Sequence, residues 1–319
     1  MDEALYGPDG FYRRERPEAH FRTSVHASPL FAEAFARLLA NVDEELGRPP
    51  KVQVVDVGAG CGSLLTGILA AVPESLLARI EAIAVEVSAR PDAGGISWRT
   101  SLPDEITGLV IANEWLDNVA LDLVELTPDG LRLVMADDSL GPPPSPEDQE
   151  WVERWWPLCR FGDRAEVGSS RSSAWASVLD RLTAGMAIAI DYCHEVSDRR
   201  ATLAGYRDGR VVQPVPDGSC DVTAHVALDA CMAPGGLLIT QREALRNLGV
   251  SGARPSLELA RTDSRAYLRA LAGAGEAAEL TDPAGLGGFG WLIQTKGPVS
   301  LRSYGQGNLE GDGREQPAP

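Results

Sequence analysis

The feature that most constrains the fold is a run of glycines placed directly after a short β-branched segment. Residues 52–57 read Val-Gln-Val-Val-Asp-Val, which is typical of a buried strand. Glycines then stand at every second position, Gly58, Gly60 and Gly62, and residues 63–71 follow as a predicted helix. Glycine permits a sharp backbone turn and close approach of a ligand, and the helix N-terminus beyond it offers free N–H groups. The segment therefore predicts a strand–loop–helix unit that binds a ligand.

Short apolar segments separated by turn residues continue this alternation along the chain. A helix is predicted to begin at Pro29, because proline suits the first helical position, and another lies near 263–273. Alternating strands and helices imply right-handed βαβ units, so the predicted fold class is α/β with a parallel, doubly wound sheet. The further predicted strands are 80–87, 96–100, 108–112, 186–191, 237–240 and 291–295.

Two classes of cofactor use such a glycine loop. A dinucleotide enzyme requires G-x-G-x-x-G, and Ser63 stands here where the third glycine would be. A glycine at 62 and an acid within the strand, Asp56, instead resemble motif I of class I S-adenosylmethionine (SAM) methyltransferases. Glu86, at the end of the second predicted strand, is placed to accept hydrogen bonds from both ribose hydroxyls of either cofactor. The pattern favours SAM, and an NAD-dependent oxidoreductase remains the alternative.

A second polar cluster follows the predicted strand 108–112. Asn113, Glu114 and Asp117 would project from the carboxyl end of the sheet, where open α/β sheets bind ligands. On a helical turn the carboxylates of Glu114 and Asp117 share one face. The alternative is a helix N-terminus whose acids suit the helix dipole. Asp221 and His225 are weaker candidates, because a helix N-terminus at Asp221 with a histidine on its polar face explains them as well.

Composition excludes several functional classes. The 29 basic and 46 acidic residues leave a net charge of −17, which argues against a nucleic-acid partner and against an anionic membrane surface. A cationic partner, such as an arginine-bearing protein segment, would be attracted. The five cysteines and four histidines lack zinc-ligand spacing, so no metal is expected. The cysteines are odd in number and widely spaced, and the N-terminus shows no apolar leader, so we expect reduced thiols in a cytoplasmic protein. No segment is apolar enough to span a membrane.

Short blocks in order along residues 1–250 match one known pattern. They are Ala4-Leu5-Tyr6 with Gly10-Phe11-Tyr12, Phe21 with Thr23-Ser24, Glu86-Val87-Ser88, Asn113-Glu114 with Asp117, Ile190-Asp191-Tyr192, Thr202-Leu203 with Tyr206, Asp221 with Thr223, Thr240-Gln241 and Leu248-Gly249-Val250. Together they resemble the MidA-type SAM-dependent methyltransferases, the family of the mitochondrial respiratory complex I assembly methyltransferase.

The resemblance implies a class I SAM-methyltransferase core, Rossmann-like, with helical and loop insertions that cap the cleft. It implies methyl transfer to a protein arginine. The expected catalytic residues are Glu114 and Asp117, whose carboxylates would hold the guanidinium and take up its proton, and Asn113, which would lie between cofactor and acceptor. Asn118 and Cys193 depart from the family pattern, so a non-catalytic SAM-binding assembly factor remains a second alternative. The expected cofactor-binding residues are Thr23, Ser24, Asp56, Gly58, Gly60, Gly62, Glu86 and Ser88.

The expected organisation is a core interrupted by two insertions. Residues 1–50 form a segment and helix that close over the cofactor. The methyltransferase core comprises 51–136 and 184–296, with an insertion at about 197–235. Residues 137–183 are a Trp-rich, helical insertion, and the Gly- and Pro-rich residues 297–319 are a disordered tail. The oligomeric state is left open.

Overall fold

The computed structural model describes residues 1–7, 10–11, 24–87, 94–194, 197, 199–207, 210–215 and 217–304. In chain order the strands are β1 (Val52–Val57), β2 (Ile80–Val85), β3 (Ile96–Arg99), β4 (Ile106–Asn113), β5 (Asp122–Thr127), β6 (Gly130–Leu133), β7 (Arg164–Val167), β8 (Leu182–Asp191), β9 (Ala204–Arg207), β10 (Arg210–Val212), β11 (Asp221–Thr223), β12 (Leu237–Thr240) and β13 (Gly290–Lys296).

The helices of the same described ranges complete the fold. They are α1 (Asp2–Tyr6), α2 (Ser24–Ala27), α3 (Pro29–Glu45), α4 (Ser63–Ala71), α5 (Glu74–Leu77), α6 (Pro146–Trp155), α7 (Ser169–Arg181), α8 (Leu228–Cys231), α9 (Gln241–Asn247), α10 (Leu257–Thr262) and α11 (Ser264–Leu280). Short 3₁₀ turns cover Leu116–Asn118, Leu286–Gly288 and Leu301–Tyr304. None of the described helices is long and apolar enough to cross a lipid bilayer.

The central sheet has the order β12-β13-β8-β4-β1-β2-β3. The five neighbouring strands β8, β4, β1, β2 and β3 pair in parallel. This confirms the doubly wound α/β prediction. Strand β13 is antiparallel to both of its neighbours, β8 and β12. The sequence pattern missed this reversal, because a short apolar strand has the same alternation in either direction.

Both faces of the sheet are covered, so the central strands are buried and rich in β-branched residues. On one face, α3 packs Phe31 and Phe35 against Trp291 of β13, with the Phe35 and Trp291 rings stacked 5.2 Å apart. On the other face, α7 places Trp175 and Val178 in a second apolar cluster. Helix α3 begins at Pro29 as predicted, and the Leu30 N–H donates to the hydroxyl of the preceding serine.

The region predicted as a helical insertion, 137–183, contains strand β7 between α6 and α7. Strands β6, β5 and β7 form a separate antiparallel sheet, which therefore includes residues ahead of position 137. The prediction of a helical segment over 137–183 is wrong at 164–167, because β7 is only four residues long and its pairing partner β5 lies far away in sequence. A third sheet, β10-β9-β11, forms within the region predicted as an insertion at 197–235.

Candidate active site

The site lies at the carboxyl ends of the parallel strands, where β1, β2, β4 and β8 bring their polar residues to one edge. Register places Val57 beside Val85, and Asn113 beside Ile190. The residues that follow each of these four strands therefore meet in one region, as expected for an open α/β sheet.

The loop after β1 requires glycine at three positions. Gly58, Gly60 and Gly62 have φ values of 73°, 55° and 78°, which side-chain-bearing residues rarely adopt. A Cβ atom on Gly58 would lie 2.8 Å from Cδ1 of Trp115, and one on Gly62 would lie 3.0 Å from Trp98. Gly62 is also the N-cap of α4 and has no side chain to satisfy the free N–H groups there. The loop thus presents bare backbone to a ligand.

Glu86, the residue after β2, contacts this loop directly. Its carboxylate accepts hydrogen bonds from the Gly60 N–H, 2.9 Å from Oε2, and from the Val87 N–H, 2.8 Å from Oε1. These bonds use two of the roughly four acceptor positions of a carboxylate, which leaves lone pairs for the ribose hydroxyls of a nucleoside. The predicted partnership of the glycine loop with Glu86 is therefore formed, and the residues fit a nucleoside cofactor. Ser88 lies outside the described residues.

Asp56 is buried in β1 beneath the loop, with a 3% exposed surface. Burial, and next the negative charge of Glu86, raise the pKa of Asp56 to about 8. The side chain thus keeps its proton at neutral pH. The structure places it behind the site, close enough to Glu86 to influence the charge there.

Glu114 follows β4 with a φ of 51°, the left-handed conformation. Its N–H donates to the Ile190 carbonyl at 2.8 Å. The predicted helical turn shared with Asp117 is wrong at this position, because the adjacent 3₁₀ turn begins only at Leu116. The two carboxylates therefore face different surroundings.

The Glu114 carboxylate accepts hydrogen bonds from the Asn113 side-chain amide, at 3.2 Å, and from the Ser24 N–H. Burial, followed by the charge of Asp117, raises the pKa of Glu114 to about 7, and these hydrogen bonds oppose the shift. Among the described residues no cation pairs with Glu114. Asn113 Oδ1 is buried and has no hydrogen-bond donor within the described part of the chain. Among the described residues, the pair thus combines a carboxylate without a cationic partner and an amide oxygen without a donor.

Asp117 points into a buried ionic cluster, which we define as Asp117, Asp191 and Arg171. The Thr223 hydroxyl donates to Asp117 Oδ2 at 3.0 Å, and the Asp117 N–H donates to Asp191 Oδ2 at 3.1 Å. Burial raises the pKa of both carboxyls, and the Arg171 guanidinium opposes the rise in each. The positive charge of Arg171 thus acts on Asp117, whereas Glu114 has no such cation among the described residues.

Arg171, which the sequence analysis did not select, is 1% exposed and organises this region. Its guanidinium donates to the carbonyls of Asp117 (2.6 Å), Val119 (3.0 Å), Ala224 (2.9 Å) and His225 (2.9 Å). The arginine thus joins α7, the loop after β4 and the segment after β11. No local sequence signal could have identified it, because its partners lie more than 50 residues away.

The remaining predicted residues are placed as follows. Ser24 is buried, and the side-chain amide of Gln241 donates to its hydroxyl at 3.0 Å. Thr23 lies outside the described residues. The alternative of a helix N-terminus at Asp221 is wrong, because residues 221–223 form strand β11. His225 is exposed, and its ring stacks on Tyr192 with centroids 5.8 Å apart.

The comparisons agree with this geometry. Residues 34–235, more than half of the chain, match the family described as "Putative S-adenosyl-L-methionine-dependent methyltransferase". A COG1565 superfamily member from Burkholderia thailandensis, bound to S-adenosyl-homocysteine, superposes with a TM-score of 0.76 at 23% identity, over 95% of this chain and 88% of that one.

A native structure of a COG1565 superfamily protein from Burkholderia thailandensis gives a TM-score of 0.75 at 24% identity, over 96% and 88% of the two chains. At these identities the likeness establishes the fold alone. No curated protein matches the chain by sequence. The family match, together with the glycine loop and Glu86, identifies S-adenosyl-L-methionine as the cofactor, and the chain belongs to this family of S-adenosyl-L-methionine-dependent methyltransferases.

Proposed function

We propose that the chain is a MidA-type member of its family and methylates a cationic nitrogen, the arginine side chain of a protein. The observation that carries the proposal is the Glu114 carboxylate, which has no cationic partner among the described residues, beside Asn113 Oδ1, which has no donor among them. A guanidinium group supplies both the positive charge and the N–H donors that these two atoms require. A hydroxyl or a carbon acceptor supplies no charge. The net charge of −17 further favours approach of a cationic segment.

When bound, S-adenosyl-L-methionine supplies an activated methyl group on a positively charged sulfur. The acceptor guanidinium starts with one positive charge; its nitrogen forms the new N–C bond as the sulfur–carbon bond breaks, and it must then lose one proton. Glu114 is positioned to orient the guanidinium and to receive that proton. Its pKa of about 7 suits a proton acceptor near neutral pH. Asn113 Oδ1 accepts a second N–H and fixes which nitrogen faces the methyl group.

Asp117 acts in this proposal through the backbone rather than on the acceptor. Its side chain bonds Thr223 and lies in the ionic cluster, and its carbonyl accepts from Arg171. These contacts hold the 3₁₀ turn that follows Glu114. Asp117 is therefore a positioning residue in the proposed reaction.

The experiment incubates the purified protein with methyl-tritiated SAM and lysate from a strain that lacks the gene. We expect label in a protein band, and methylated arginine after acid hydrolysis of that band. Glu114→Gln protein that still binds S-adenosyl-homocysteine should leave the band unlabelled. Label recovered in lysine, in a nucleic acid or in no macromolecule, with folded and cofactor-competent protein, contradicts the arginine acceptor.

A further inference from the structure

A pair of exposed rings stands beside the proposed acceptor site and has no assigned role. Tyr192 directly follows β8, whose residue Ile190 lies opposite Asn113 and accepts the Glu114 N–H at 2.8 Å. Tyr192 therefore leaves the sheet next to Glu114. Burial, and next the charge of Glu114, raise the pKa of the Tyr192 phenol, which agrees with this proximity.

The rings are held in place by their surroundings. Tyr192 packs against Phe289, which is 4% exposed, with centroids 4.1 Å apart, and it stacks on His225 at an interplanar angle of 25°. His225 is fixed through its backbone, because its N–H donates to the Thr202 hydroxyl at 2.9 Å and its carbonyl accepts from Arg171. Tyr192 itself is 37% exposed. A rigid aromatic surface thus remains open at the edge of the cleft.

Ring faces next to a carboxylate that has no cationic partner in the described part of the chain favour one kind of ligand. A flat guanidinium can stack on an aromatic face while its N–H groups bond a carboxylate, whereas a compact ammonium is more strongly hydrated and does not stack. Partial desolvation by the neighbouring rings, and next the charge of nearby His194, lower the pKa of His225, so its ring is neutral at neutral pH and does not repel a cation. The surface therefore distinguishes cations by shape as well as by charge.

We propose that Tyr192 and His225 are specificity-determining residues of the acceptor site, whose rings select a planar cation over a compact one. This inference rests on the proposed function, because it takes Glu114 as the carboxylate that binds the acceptor. Neither ring donates or receives the transferred group. Their contribution is to the affinity and orientation of the acceptor.

The test measures peptide binding to full-length protein saturated with S-adenosyl-homocysteine. Three blocked pentapeptides carry arginine, lysine or citrulline between glycines. Lysine keeps the charge without the planar group, and citrulline keeps the planar group without the charge. We expect the arginine peptide to bind roughly tenfold more tightly than the lysine peptide, and citrulline, which is planar but neutral, to bind weakest. Tyr192→Leu should reduce arginine binding to the lysine level, while Tyr192→Phe, which keeps the ring, should retain the preference. His225→Leu should lower the arginine preference in the same direction.

Phe161→Leu serves as the matched control, because that ring is 72% exposed and belongs to the insertion rather than to the site. Unchanged S-adenosyl-homocysteine affinity shows that each variant is folded. Equal binding of the arginine and lysine peptides by the wild type, absent binding of both, or a preference that survives Tyr192→Leu and His225→Leu overturns the inference. If methylarginine still forms in that case, the proposed function stands; if Glu114→Gln still transfers methyl groups, the proposed function itself fails.

Discussion

At the scale of single residues, Glu114 is the position where local preference and function conflict. A left-handed backbone at a non-glycine residue costs on the order of 1–3 kcal/mol and persists only where surrounding contacts enforce it. Here the enforcing contacts are the bond from the Glu114 N–H to Ile190 and the bond from the Asn118 amide to the Glu114 carbonyl. Such strain is concentrated at functional sites, which agrees with the role proposed for Glu114.

Replacement of Glu114 by Gln should separate chemistry from cofactor binding. The amide keeps the size of the side chain but neither pairs with a cation nor takes a proton, so we expect methyl transfer to fall by roughly 10²- to 10⁴-fold. The dissociation constant for S-adenosyl-homocysteine should stay within about twofold in calorimetry. Glu44→Gln, which breaks only the exposed ion pair with Arg48, is the control and should retain activity. Loss of cofactor affinity with transfer preserved would reverse the assignment.

Asp56 should make stability depend on pH. The folded protein keeps this proton up to about pH 8, whereas the unfolded chain releases it near the ordinary aspartate value, so the folded state binds more protons between them. The free energy of unfolding contributed by this group therefore falls as pH rises through that window. The unfolding free energy of Asp56→Asn minus that of the wild type should therefore increase from pH 5 to pH 8. The increase is at most about 1.4 kcal/mol per pH unit.

Urea unfolding at pH 5, 6, 7 and 8 measures this difference. Asp104→Asn, which changes a carboxylate in an exposed ion pair, should give a curve nearly parallel to the wild type. Parallel curves for Asp56→Asn as well would show that Asp56 titrates alike in the folded and unfolded states.

At the scale of elements, the glycine loop depends on a partner from another strand. Trp115, just beyond β4, packs against Gly58, so the cofactor loop and the proposed acceptor segment have a common packed boundary. The loop after β1 is thus restricted in two ways, by its own backbone conformation and by an aromatic ring from elsewhere in the chain.

Gly58→Ala should disrupt this boundary. The added methyl would lie 2.8 Å from the Trp115 ring, whereas Gly95, with a similar φ of 80°, has no atom within 4 Å of an added Cβ. Gly95→Ala therefore carries only the backbone strain, about 1–2 kcal/mol, and should leave cofactor affinity unchanged. We expect Gly58→Ala to weaken S-adenosyl-homocysteine binding by about tenfold or more in calorimetry. Equal behaviour of the two variants would assign the effect to strain alone.

At the scale of the whole molecule, Arg171 connects helix α7 to two distant segments of the chain. Its four carbonyl acceptors belong to the segments after β4 and after β11, and its charge balances the carboxylates of the ionic cluster. The segments that hold Glu114 and His225 therefore keep their relative positions through one side chain contributed by α7.

Arg171→Met should be strongly destabilising, by about 3–5 kcal/mol, because it leaves buried carboxylates without a cation. Arg181→Met provides a control on the same helix, since Arg181 forms an exposed ion pair with Asp104 and should cost under about 1 kcal/mol. The difference in unfolding free energy, from urea denaturation, tests the assignment. Similar losses of unfolding free energy in the two variants would mean that the buried Arg171 guanidinium stabilises the fold no more than the exposed Arg181 does.

The amino-acid sequence alone determined the strand–glycine–helix unit, the acid at the end of β2 and the polar residues after β4. These features are local, because strand alternation and glycine conformation are encoded within a few residues, and parallel pairing brings strand ends to one edge. The cofactor and the fold class followed from them and are confirmed.

Only the tertiary structure decided the left-handed conformation of Glu114, the hydrogen bond from Arg171 to the Asp117 carbonyl, the ring of Tyr192 beside the site and the reversed direction of β13. The structure also placed β7 in a sheet where helix was expected. The physical reason is common to all of these features. Each depends on contacts between segments far apart in the chain, where packing and buried hydrogen bonds override local preference, and no pattern within one segment encodes its distant partner.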